Sequence, residues 1–128
     1  MKFKKIDNIK AGLIFDGLED DYYEYDLIIK CKNENIQSSV KPYKFEYINK
    51  LLQKISREEY FSLMKSISGS VQSQLIQDMF TGYRNFPLTY HVQEKDNSIK
   101  ILIIASSGET QPGRYKIYLE GVWEIIEK

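Results

Sequence analysis

One cysteine, Cys31, and one histidine, His91, are all that the 128 residues offer. A single thiol forms no internal disulfide, so nothing marks an oxidising compartment. Zinc sites of the usual kind need several cysteines or histidines at short spacing, and one of each excludes them. Net charge is missing too: 18 basic side chains balance 18 acidic ones. That balance removes the general attraction to phosphate on which most nucleic-acid binders rely. The glycines form neither a Walker A loop nor a dinucleotide fingerprint. No Gly-x-Ser-x-Gly elbow is present, since Ser106-Ser107-Gly108 lacks the flanking glycine. The basic start Met1-Lys2-Phe3-Lys4-Lys5 is not followed by the apolar run of a secretory signal. No segment approaches a membrane-spanning helix. The expectation is one cytoplasmic domain over residues 1–128, with no cofactor, no metal, and no direct contact with nucleic acid or membrane.

What is present is an ordinary globular composition, 42% hydrophobic and 28% charged, with the charge unevenly placed. Residues 15 to 26 hold Asp16, Glu19, Asp20, Asp21, Glu24 and Asp26 together with Tyr22, Tyr23 and Tyr25, and no basic residue. The following stretch holds Lys30, Lys32, Lys41, Lys44, Lys50, Lys54 and Arg57 against Glu34 and Glu46. A dipolar molecule is expected from this distribution. The acids do not match a calcium loop, which needs ligands at alternate positions around a central glycine. Here Gly17 comes first and the acids follow it.

Hydrophobic periodicity supplies the framework. Lys10 to Phe15 alternates as a first strand, and Asp16-Gly17 is a common turn pair opening an acidic hairpin connection. A second strand follows, with Tyr23, Tyr25, Leu27, Ile29 and Cys31 on its inner face and Tyr22, Glu24, Asp26, Ile28, Lys30 and Lys32 on the outer one. Ile36 to Tyr43 reads as extended chain closed by Pro42. Phe45, Ile48, Leu51, Leu52 and Ile55 have the spacing of one helical stripe. Ser56-Arg57-Glu58-Glu59 matches a capping box that starts a second helix. Its stripe runs from Tyr60 through Met64, Ile67, Val71 and Leu75 to Met79 and Phe80, with a kink near Gly69 and an end at Thr81-Gly82. Strands return at Leu88–Gln93, at Ile99–Ser106, which is apolar on both faces and therefore central, and at Arg114–Ile126. Residues 107–113 read as a loop. On the last strand Tyr115, Ile117, Leu119, Trp123 and Ile125 share a face, with a bulge at Gly121. Strands segregated from helices give an α+β domain. It has a single antiparallel sheet of about five strands, two N-terminal and three C-terminal, with two or three helices packed on one face.

Two readings compete for the acidic stretch. The plainer one is a solvated hairpin edge kept acidic so that it does not pair with another chain. The functional one is a protein-binding surface of Glu19, Asp20, Asp21, Tyr22, Glu24 and Asp26, in which tyrosine anchors and carboxylates steer. His91 is the one candidate for a catalytic base, with Tyr90 and Glu94 beside it in sequence. Cys31 falls on an inward face, where thiols are usually inert packing groups. Lys41, Lys44, Lys50, Lys54 and Arg57 near Tyr43 and Tyr47 resemble an RNA-contacting set, but helical spacing puts most of them on a solvated face.

In format the chain resembles the small bacterial toxin-immunity proteins encoded beside contact-dependent or polymorphic toxins. The likeness rests on about 130 residues, few cysteines, no catalytic constellation, and the patch Glu19-Asp20-Asp21-Tyr22-Tyr23-Glu24-Tyr25-Asp26. No family motif is matched, and the neutral charge departs from the acidic balance common in that group. The resemblance implies a non-enzymatic, monomeric binding protein whose partner is a cognate toxin with a basic active-site cleft, such as a nuclease. The alternatives are a small hydrolase using His91 with a carboxylate, and a phage or secretion-system assembly protein or chaperone.

Overall fold

The computed structural model describes residues 2–7, 9–30, 37–67, 72–74, 79–81, 86–95 and 99–126. Two strands, β1 (Lys2–Lys5) and β2 (Gly12–Leu18), lead into a short helix α1 (Glu19–Glu24). A hairpin of β3 (Leu27–Lys30) and β4 (Gln37–Val40) follows, then a 3₁₀ turn (Pro42–Lys44) and the two-residue β5 (Glu46–Tyr47). Helices α2 (Ile48–Leu52) and α3 (Arg57–Ser66) come next, then the paired short strands β6 (Gln72–Gln74) and β7 (Met79–Thr81). A meander of β8 (Leu88–Lys95), β9 (Ile99–Gln111) and β10 (Arg114–Ile126) completes the order. The fold is α+β. Its main sheet has six strands in the order β1-β10-β9-β8-β5, with β2 also on β10, and every pairing is antiparallel.

β9 is central because both of its faces are apolar. Ile101 to Ser106 each retain at most 2% exposure, so each face must be covered. Ile101, Ile103 and Ala105 face one cluster, roofed by Leu27, Ile29 and Val40 of the β3–β4 hairpin. Leu102 and Ile104 face the other, closed by Ile48 and Leu51 of α2, Leu63 of α3 and Ile67. Helices α2 and α3 thus share one face. The opposite face carries the hairpin, with Tyr22 and Tyr25 packed at its margin.

β10 crosses between these clusters by means of a bulge. Leu119 pairs with Ala105 and Gly121 with Ile104, leaving Glu120 as the extra residue. An extra residue reverses the alternation. Ile117 and Leu119 therefore join Val122 under the hairpin, while Trp123 and Ile125 turn to the helices. The bulge at Gly121 appears as expected, but the single apolar face for the whole strand is corrected. At the other end of β10, Pro112-Gly113 makes a tight turn in which Gly113 has φ 77°, a conformation that glycine adopts without strain.

Ser56 caps α3 as its sequence predicts. Its Oγ accepts from the Glu59 amide at 3.1 Å, and its own amide donates to Glu59 Oε1 at 2.7 Å. Ser56→Ala is expected to lower stability by about 1 kcal/mol, read as the shift in urea midpoint at constant slope. An unchanged midpoint would mean that the cap adds nothing.

Several boundaries differ from the periodicity. The first expected strand begins later, as β2, and Asp16-Gly17 lies inside it, paired with Lys116 and Tyr115 of β10. Partner hydrogen bonds from β10 thus override a local turn preference. The second expected strand shrinks to Leu27–Lys30 and leaves the main sheet for β4, while the unforeseen β1 takes its place on β10. β9 and β10 pair through the expected loop up to Gln111. The helix after Ser56 stops at Ser66 rather than resuming toward Thr81. Residues 72–74 and 79–81 instead satisfy their backbone groups as a strand pair. Cys31, Gly69 and Gly82 lie outside the described residues.

Candidate functional site

The acidic stretch is a helix rather than a hairpin tip. Glu19, Asp20 and Asp21 occupy its first turn, where the free amides of a helix start favour negative charge. The Glu19 amide itself donates to the carbonyl of Gly113 at 2.8 Å, fixing α1 to the β9–β10 turn. At the far end Lys41 Nζ donates to the Glu24 carbonyl at 2.7 Å and lies 3.3 Å from Asp26 Oδ1. A cation at the end of a helix is favourable. This contact also joins the basic segment to the acidic one.

Helical rather than strand geometry changes where the tyrosines point. Tyr22 turns inward, its ring stacked on Tyr115 at 4.7 Å between centroids and edge-on to Phe15 at 6.1 Å. Tyr25 packs on Phe15 at 4.9 Å and donates its hydroxyl proton to the Ile14 carbonyl at 3.0 Å. Tyr23 is 48% exposed. The expectation of an outward Tyr22 and an inward Tyr23 is therefore reversed, because a 3.6-residue period replaces a period of two. Glu19, Asp20, Asp21, Glu24 and Asp26 all stay on the surface.

Beside them opens a cleft of about 480 Å³ that adjacent-sequence reasoning missed. Tyr22 of α1 and Tyr115, stacked on each other, line it together with Tyr43, Phe45 and Tyr47. Thr89 of β8 and Ser107 and Gly108 of β9 belong to the sheet behind, with Pro42, Pro87, Glu46 and Lys50 completing the lining. Gly108 is confined to glycine by its neighbour, since a Cβ there would lie 2.5 Å from Phe86. Tyr43 and Tyr47 are both more than half exposed. Their grouping with Tyr22 and Tyr115 depends on pairings distant in sequence. The one local signal was the pair of tyrosines flanking Pro42 and Glu46.

Partial burial and then the charges of Glu109 and Glu19 push the Tyr115 phenol above its ordinary value. Burial likewise raises Tyr22, opposed by a hydrogen bond with Ser107 and reinforced by Tyr23 and Tyr47. Tyr25, Tyr60 and Tyr90 are also raised, in each case chiefly by burial. All five phenols keep their protons to higher pH when folded than the 10.0 of an ordinary tyrosine. Their contribution to stability is thus complete below pH about 10 and is lost as pH rises through the folded values. The expected alkaline titration at 295 nm contains a late fraction above the ordinary tyrosine range, with unfolding developing alongside it. A single transition at the ordinary value would contradict this.

His91 does not line the cleft. It is half-buried against Phe45, with ring centroids 5.6 Å apart. Its pKa is lowered by desolvation, with a hydrogen bond to the Lys44 backbone and the charge of Glu46 working the other way. Among the described residues no group of three or more histidine, cysteine, aspartate or glutamate side chains converges to hold a metal ion. None of the described helices is long and apolar enough to cross a membrane. Comparison with protein-family models, with curated proteins and with solved structures finds no match.

Proposed function

We propose that this chain is a non-enzymatic binding protein that neutralises a cognate bacterial toxin in the cytoplasm. The observation that supports the reading best is the placement of α1, which sets Glu19, Asp20, Asp21 and Glu24 on the surface beside a tyrosine-lined cleft. A nuclease must hold phosphate and so presents a basic cleft, and a row of carboxylates competes for that charge. Tyr23, Tyr43 and Tyr47 are the exposed aromatic anchors, and they replace Tyr22 in that role. Asp26, bridged to Lys41, is the weakest member of the acidic set. The test is co-expression with a candidate toxin encoded beside it. Growth should be restored, and the purified chain should abolish toxin activity at equimolar ratio. Full toxin activity in the presence of excess chain would sink the reading.

A further inference from the structure

We propose that the tyrosine cleft is a socket for a single cationic side chain of the partner, an arginine inserted among Tyr22, Tyr115, Tyr43 and Tyr47. The inference rests on the acidic face being the partner-binding surface, and it assigns a second group of residues to that surface. Four tyrosines and Phe45 line about 480 Å³, and although Tyr22 and Tyr115 each give one face to their mutual stacking, aromatic rings and phenol oxygens together are surroundings that attract guanidinium groups. Carboxylates supply the complementary charge. Glu46 lines the cleft, and Glu19 and Glu109 act on the Tyr115 phenol from the rim.

The chain supplies an example of the same contact. Lys44 Nζ lies 5.9 Å from the centroid of the Tyr43 ring, so this ring already receives an ammonium. Lys50, the one cation among the described lining residues, is 3.9 Å from Glu46, so that carboxylate already has a partner of opposite charge. Tyr115 is the ring that feels the charges of Glu19 and Glu109, the latter also accepting from the Gly113 amide at 2.9 Å. Arginine fits better than lysine. Its planar fork stacks on a ring while its five donors reach the phenol, carboxylate and Ser107 oxygens together.

The experiment titrates the whole chain, with labelled tyrosine rings, against a blocked arginine peptide flanked by glycines and against its citrulline analogue. Citrulline keeps the shape and removes the charge. Saturable shifts are expected at Tyr22, Tyr43, Tyr47 and Tyr115, at least about 5-fold weaker with citrulline, and strongly reduced in Tyr47→Leu. Tyr47 is about half exposed, so its replacement does not threaten the core. No saturable shift with arginine, equal shifts with citrulline, or an unaltered response in Tyr47→Leu would each overturn the proposal. The toxin-neutralising reading fails separately. Toxin binding with no arginine response removes only the socket, and an arginine response with no toxin binding removes only the toxin.

Discussion

Reversing Asp20, Asp21 and Glu24 to lysine together is expected to slow association with the partner toxin by about 10- to 1,000-fold. Dissociation should change much less. The three carboxylates are exposed and occupy the outward side of α1, so their role is in long-range attraction before contact rather than in packing. The effect should therefore shrink as salt rises, since fields beyond about 8 Å are screened at physiological ionic strength. Loss of the favourable charge at the start of α1 limits the stability cost to about 1–2 kcal/mol. Stopped-flow association at low and physiological salt, with a melting curve on the same sample, separates these terms. An unchanged association rate in the folded triple variant would place the interface elsewhere.

Trp123→Ala is expected to remove about 3–5 kcal/mol, a large part of the 5–15 kcal/mol that domains of this kind possess. The indole is fully buried, touches the helix-side cluster, and donates from Nε1 to Ser66 Oγ at 2.8 Å. Ser66 in turn donates to the Leu63 carbonyl at 2.7 Å, and its own carbonyl accepts from Lys5 Nζ. One residue thus links β10, the end of α3 and β1. Gly121 is matched to it, because a Cβ there would lie 2.8 Å from the ring. Trp123→Phe, which keeps most of the apolar volume and loses the hydrogen bond, should cost distinctly less than the alanine variant. Urea unfolding of the two variants measures the difference. Equal losses would show that packing around the ring contributes little.

The C-terminal meander was legible because its signals are local. Ile99 to Ala105 is apolar on both faces and Gly121 marks the bulge, whereas the loop expected over 107–113 is in fact the end of β9, paired with β10 up to Gln111. The reversal of faces at Glu120 was not legible, since a bulge fixes parity only once its register against Ala105 and Ile104 is known. Asp16-Gly17 misled for a related reason. The pair is common in turns, yet here Lys116 and Tyr115 hold it in β2, and the helix begins only after Leu18. Once residues 19–24 are helical, Tyr22 and Tyr23 exchange roles without any change in composition. The cleft was the least legible feature. Tyr22, Tyr43, Tyr47 and Tyr115 come from α1, a 3₁₀ turn, β5 and β10, and only the sheet pairing brings them together. The acids themselves were placed correctly on the surface, since their solvation outweighs any local geometry.

Hydrogen-exchange footprinting of the complex with the toxin tests the central claim most directly, because it reads the interface without altering it. The account predicts that protection on binding concentrates in residues 19–26, 42–47 and 107–115, which carry α1 and the cleft, while the outer face of α3 around Phe61 is unchanged. Protection confined to α3, or a complex that leaves residues 19–26 as open as in the free chain, would contradict it.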